Sequence, residues 1–165
     1  MLSVIIETAN HEEGLARTLS PLVGGLVEGV VREVIVCDGG SADATLKVAE
    51  HAGCRVVSGG VAEAIRAAKS DWLLFLEPGA RPVGDWLDPL VGHMARQTMP
   101  AQFSRSRESR PRLFARVFST ALSTGLLIRK PQALARLKSA TSAEALARGL
   151  AVKRLTAELA VAPGR

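Results

Sequence analysis

Short β-branched runs alternate with helical stretches over residues 3–76, and this alternation predicts an α/β chain: one domain, doubly wound, with a mostly parallel sheet covered by helices on both faces. Two further observations agree. The 165 residues suit a single core. With four Phe, two Trp and no Tyr, that core must be built from Ala, Val, Leu and Ile, as helices packed on a parallel sheet require.

The elements follow in order. Ser3-Val4-Ile5-Ile6 is a buried strand, and Leu15, Leu19 and Leu22 set a helical period from about His11 to Val23. Glu33 to Cys37 is the second strand and Asp43 to His51 the helix after it. Arg55-Val56-Val57 is a third strand, Ala62 to Lys69 a short helix, and Trp72 to Leu76 a fourth strand. Pro78 to Pro82 is a loop by its Pro and Gly content, and Asp85 to Gln97 a helix. Gln102 to Arg112 is a polar connection, followed by a helical stretch near Leu113 to Leu122 and a strand at Gly125 to Arg129. Two short helices close the pattern, around Gln132 to Leu137 and Ser142 to Leu150.

No apolar stretch reaches the ~20 residues a membrane-spanning helix needs, and Met1 to Glu7 lacks a secretion signal's basic region, so a cytoplasmic protein is expected. Cys37 and Cys54 fall near opposite ends of neighbouring strands, which predicts two free thiols. His11, His51 and His93 have no metal-ligand spacing and read as surface or boundary residues. Charge is divided unevenly. Residues 1–92 hold 7 Lys and Arg against 13 Asp and Glu, whereas residues 93–165 hold 14 against 3. The basic part faces either an anionic partner or only water. Arg105, Arg107, Arg110, Arg112 and Arg116 lead into Leu113, Phe114, Val117, Phe118 and Leu122, a pattern open to two uses: peripheral contact with an anionic membrane at its inner face, or packing of the apolar stripe on the domain.

Ligands of open parallel sheets bind beyond the carboxyl ends of the strands, so loops 7–12, 38–43, 58–62 and 77–82 are the candidates. In Asp38-Gly39-Gly40-Ser41-Ala42-Asp43 a carboxylate at a strand end precedes two glycines and a helix start. Asp38 there can accept hydrogen bonds from a nucleobase or ribose; alternatively, Ser41 or Asp43 only caps the next helix. The chain contains neither G-x-G-x-x-G at its first turn nor a P-loop, which removes the usual support for dinucleotide and P-loop readings.

Ser3-Val4-Ile5-Ile6-Glu7-Thr8-Ala9-Asn10-His11-Glu12 resembles the S-V-I-I-P-T-x-N-E-E opening of family 2 glycosyltransferases, and Val34 to Thr45 resembles their V-V-D-G-x-S-x-D-x-T. Trp72 to Leu76 is similar to the strand that leads to their metal-binding D-x-D. This resemblance, carried by residues 1–90, implies a nucleotide-diphospho-sugar transferase fold, with a nucleotide-binding half at 1–92 and an acceptor-side half at 93–165. It also implies a nucleotide-sugar donor, an acceptor of unknown identity, and a divalent metal, Mg²⁺ or Mn²⁺. Thr8 and Asp38 match positions that contact the base or ribose, Ser41 and Asp43 match the loop shaping that pocket, and Arg66 matches a phosphate contact. Glu77-Pro78-Gly79 stands where D-x-D is usual, leaving Glu77 as the metal-site carboxylate. The family's E-D pair falls on Ser142-Ala143, so Glu144 is the nearest candidate base. Transfer of the sugar is the leading expectation; the departures motivate an alternative of the same fold, a catalytically degenerate module that binds a nucleotide or a partner. Nucleic-acid binding by the arginine-rich part is a third and weaker reading.

Overall fold

Seven residues, Leu2–Thr8, extend as β1, and all but Glu7 are buried. A strand covered on both faces needs apolar residues without alternation, which Val4, Ile5 and Ile6 supply. The computed structural model describes residues 1–107 and 120–162. After β1 come α1 (Glu12–Leu19), α2 (Leu22–Val27), β2 (Val31–Asp38), α3 (Thr45–His51), β3 (Arg55–Val57), α4 (Gly60–Ala67), β4 (Trp72–Leu76), β5 (Arg81–Val83) and α5 (Leu87–Arg96). The chain continues through β6 (Ala101–Arg105), β7 (Leu126–Arg129), α6 (Lys130–Arg136), α7 (Ala143–Ala147) and β8 (Lys153–Ala160).

The strands form one sheet in the order β3-β2-β1-β4-β7-β6-β8-β5. The chain starts at β1, runs outward through β2 and β3, and returns to place β4 on the other side of β1, all four parallel. Strand order thus reverses between β1 and β4, whose carboxyl ends make the topological switch point. Beyond β4 the sheet is mixed: β7 is antiparallel to β4, β6 antiparallel to β7, β8 parallel to β6, and β5 antiparallel to β8. Val4, Ile6, Leu74 and Leu76 pack with α1, α2 and α5 on one face, while Ile5, Ile35, Leu73 and Phe75 pack with α4, α6 and α7 on the other. Helices cover both faces, as the alternation of elements predicts.

Several expectations need correction. The helix expected from His11 to Val23 is two helices, because Pro21 has no N–H to donate and ends the first run near Ser20. Arg81 and Pro82, expected in a loop, open β5, whose partner β8 lies far away in sequence. Gln102 to Arg105 belong to β6 rather than to a connection, with Ala101 and Phe103 fully buried and Gln102 nearly so. The last helix stops at Ala147, and the chain then forms β8, an unexpected strand. The expected helix near Leu113 to Leu122, with Arg110, Arg112 and Arg116, lies outside the described residues except at its end, where 121–124 form turns.

His93 is neither a surface nor a boundary residue. It is buried, its Nε2 bonds the Met99 carbonyl at 2.8 Å, and its ring meets Trp72 edge-on. Cys37 and Cys54 are free thiols. Burial, reinforced by the nearby Glu7 and Glu63 carboxylates, pushes Cys37 up to about 12, and burial alone pushes Cys54 up to about 11, so neither is a ready nucleophile. Among the described residues, no helix is long and apolar enough to cross a membrane.

Candidate functional site

The register of β1 on β2 sets Thr8 beside Asp38, and the Gly39 N–H closes the pair by donating to the Thr8 carbonyl at 2.8 Å. The two loops that leave these strands are tied together. Asn10, in the left-handed region at φ 55°, accepts from the Ala42 N–H at 2.8 Å through its side chain, and its own N–H donates to Ser41 Oγ at 2.9 Å. Asparagine tolerates that conformation better than most residues. The His11 N–H donates to Thr45 Oγ1, and the Ala44 N–H donates to Glu12, each at 2.9 Å.

Within this network Asp38 is an acceptor for three donors. Its Oδ2 takes the Gly40 and Ser41 N–H groups at 3.0 and 2.9 Å, and its Oδ1 takes the Ser41 hydroxyl at 2.5 Å. Burial raises the Asp38 pKa, but the Ser41 hydroxyl and the two N–H groups outweigh it and hold the carboxyl below its usual range. An ionised carboxylate offers about four acceptor positions, so one on Oδ1 is left for an incoming N–H or O–H. Next to it, the buried Thr8 hydroxyl has no hydrogen-bond partner among the described residues. Such a group is destabilising by about 1–3 kcal/mol until something bonds it.

Asp43 braces the start of α3 from just before its N-cap, Ala44. Its Oδ1 takes the Thr45 hydroxyl at 2.5 Å and the Thr45 N–H at 3.0 Å, and these bonds hold it below the usual carboxylate range. Thr8, Asp38, Ser41 and Asp43 are therefore brought together, whereas Arg66 is not. It is exposed on the last turn of α4, where the chain has already crossed back to the amino end of the sheet, and its carbonyl accepts from Lys130 Nζ at 3.1 Å. A cavity of about 550 Å³ opens beside these loops, lined by Asn10, Glu12, Arg17, Asp43 and Gly79 among others; of the predicted nucleotide residues only Asp43 reaches it.

At the carboxyl end of β4, Glu77 accepts from the Thr120 hydroxyl. Burial pushes its pKa above the usual range, the Thr120 bond opposes that, and the Glu144 carboxylate adds to the rise. The following turn is fastened to α1, for the Gly79 N–H donates to Thr18 Oγ1 and to the Gly14 carbonyl, both at 2.8 Å. Gly79 has φ 95°, a conformation other residues rarely adopt, which explains the missing second carboxylate in backbone terms. Among the described residues no group of three His, Cys, Asp or Glu could hold a metal ion. Glu77, a partly buried carboxylate, would suit one protein ligand of a Mg²⁺ or Mn²⁺, and by itself it does not make a complete metal centre. Such a cation, when bound, neutralises charge on a leaving diphosphate.

A raised folded pKa means that Glu77 favours folding fully below its unfolded value, and that this contribution fades as pH rises through the folded value. Glu77→Gln keeps an acceptor for Thr120 and is expected to raise the melting temperature at pH 7, with the gain vanishing near pH ~4. Thermal unfolding of both proteins across pH checks this.

Glu144 does not hold a free carboxylate over the site. Its Oε1 and Oε2 accept the Ala121 and Leu122 N–H groups, each at 3.0 Å, and Arg148 approaches at 3.5 Å. Ser142 caps α7 by accepting from the Ala145 N–H at 3.2 Å. The Ala143 N–H donates to Glu7 at 3.0 Å, across 136 positions of sequence. Glu7 thus joins the end of β1 to the start of α7, a role that sequence reasoning missed; the available signal was the carboxylate where the resembling motif has proline. Glu7→Ala is expected to cost about 1 kcal/mol, as loss of a helix cap does. Chemical denaturation measures it directly.

The chain is thus an α/β protein that carries a carboxylate and a hydroxyl at the carboxyl ends of β2 and β1, beside its switch point. The pattern of glycosyl transferase family 2 matches residues 3–137, and the chain belongs to that family. No curated protein sequence matches it significantly. In fold it is similar to glucosyl-3-phosphoglycerate synthase from Mycobacterium tuberculosis, at TM-score 0.68 and 22% identity over 100% of this chain and 72% of that one. The same enzyme with Mg²⁺ and uridine diphosphate gives 0.64 and 18%, again over 100% and 72%. Its complex with Mn²⁺, uridine diphosphate and glucosyl-3-phosphoglycerate gives 0.58 and 21%, over 80% of this chain, and here the chain spans only 57% of the enzyme. At these identities the likeness is one of fold.

Proposed function

We propose that the chain binds a nucleotide-diphospho-sugar over the carboxyl ends of β1 and β2 and transfers the sugar to an acceptor lying toward its basic half, residues 93–165. The observation that carries the donor side is the pairing, beside the switch point, of Asp38, with an acceptor position to spare, and Thr8, whose hydroxyl has no partner among the described residues. A base edge or ribose hydroxyl satisfies both. Ser41 holds the Asp38 carboxylate in place, while Asp43 fixes the start of α3 behind it. Glu77 lies beyond, on the side where a diphosphate and its cation would extend.

A second reading, binding without transfer, draws support from Glu144, whose oxygens are both occupied by backbone donors. A general base must reach the proton it removes, and its absence forfeits about 10²–10⁴-fold in rate. Calorimetric titration with UDP, GDP, dTDP and CDP, each with and without Mn²⁺, tests the donor site. Turnover of the corresponding sugar nucleotides then separates the two readings. Tight binding with no hydrolysis or transfer selects the second; failure of every nucleotide to bind overturns both.

A further inference from the structure

A second polar cavity, of about 430 Å³, lies between β6, β8 and the turn at 121–124. Gln102, Ser104, Arg105, Thr120, Thr124 and Arg154 line it, and among the described residues no carboxylate does. Its frame is already bonded. Gln102 Nε2 donates to the Ala121 carbonyl at 2.8 Å, and Ser104 Oγ donates to the Leu155 carbonyl at 2.6 Å. Arg154 is held through a single nitrogen, Nη1, which donates to the Phe103 carbonyl at 2.7 Å and to Thr124 Oγ1 at 3.0 Å. Its Nε and Nη2 have no partner among the described residues. A guanidinium fixed at one corner with donors to spare has less freedom left to lose when a planar or tetrahedral oxyanion arrives.

The cavity also adjoins the transfer side of the candidate site, because Thr120 lines it while donating its hydroxyl to Glu77. We infer that this cavity is an acceptor subsite that takes a phosphoryl or carboxylate group, with Arg154 as its anchor. The acceptor role rests on the transferase reading above; the anion site itself does not. An acceptor anchored there by its anionic end has its other end directed past Thr120 toward Glu77.

Amide NMR titration with inorganic phosphate tests it. Shifts at Ser123, Thr124 and Gly125 are expected, and Arg154→Met is expected to weaken the binding about tenfold, the usual scale for losing one charged hydrogen bond. Arg154→Lys, which keeps charge without the fork, should weaken it less, while exposed Arg32→Met on β2 should leave it unchanged. Vesicles of phosphatidylglycerol supply the other source of phosphate: sedimentation of the wild type but not of Arg154→Met assigns the group to a lipid headgroup, and free phosphate binding alone assigns it to a soluble acceptor. Phosphate and vesicle binding both indifferent to Arg154 overturn the site. UDP read in the same spectra should move Gly40 and Ser41. If UDP moves nothing while phosphate still moves Thr124, the donor reading fails and the anion site stands.

Discussion

Asp38→Ala is expected to weaken UDP binding by roughly 10–150-fold, the span that a charge-assisted hydrogen bond of about 1.5–3 kcal/mol covers. Two losses combine in it. The acceptor position on Oδ1 disappears, and the Gly40 and Ser41 N–H groups and the Ser41 hydroxyl lose the atom that shapes their loop. Calorimetry on the variant, with exposed Glu50→Ala on α3 as control, reads the effect. Asp38→Asn should lie between, because an amide oxygen can replace one carboxylate oxygen but the amide nitrogen opposes the donors that the other one held. Unchanged affinity would place the nucleotide elsewhere, with the cavity lined by Arg17 and Asp43 as the next location to examine. Since Asp38 is held below the usual carboxylate range, its contribution is expected to persist through mildly acidic pH.

The half of the fold that positions Asp38 was legible because its strands are buried on both faces. Runs such as Val4-Ile5-Ile6 and Trp72 to Leu76 have no other use in a chain of this length, and parallel crossovers then fix their order. Beyond β4 the strand at β7 was legible, but β5, β6 and β8 were not, for the opposite reason. In β8 Leu155, Ala157 and Leu159 turn to the core between Lys153, Arg154, Thr156 and Glu158, with Ala160 buried at the end, so the alternation is carried by two leucines and an alanine. In β6 the inward residues are Ala101 and Phe103, and their polar neighbours resemble a loop. The grouping of Thr8, Asp38, Ser41 and Asp43 at neighbouring strand ends was legible from local motifs. Glu7 and Asn10 were not, since what they do depends on partners 136 and 32 positions away. Arg66 fits a motif position but sits at the wrong end of its helix, a distinction that spacing within α4 cannot make.

Glu144→Ala is expected to cost about 3 kcal/mol of stability, or roughly 6–12 °C in melting temperature for a chain of this size. Its carboxylate is the partner of the Ala121 and Leu122 N–H groups, and Leu122 is buried, so removing it strands donors that water reaches poorly. The same clamp holds the turn from which Thr120 reaches Glu77 and Thr124 meets Arg154, so both flanking sites depend on it. Glu144→Gln separates clamp from base. An amide presents one oxygen to two N–H donors and turns an NH₂ toward the other, so a clamp loses much of its stability in this variant as well. A base that is free in the working state would instead lose turnover with little change in melting temperature. A large drop in melting temperature in both variants therefore means that the residue nearest the family's base position has been committed to holding the acceptor-side turn, and that any transfer this chain performs must take its proton through another group.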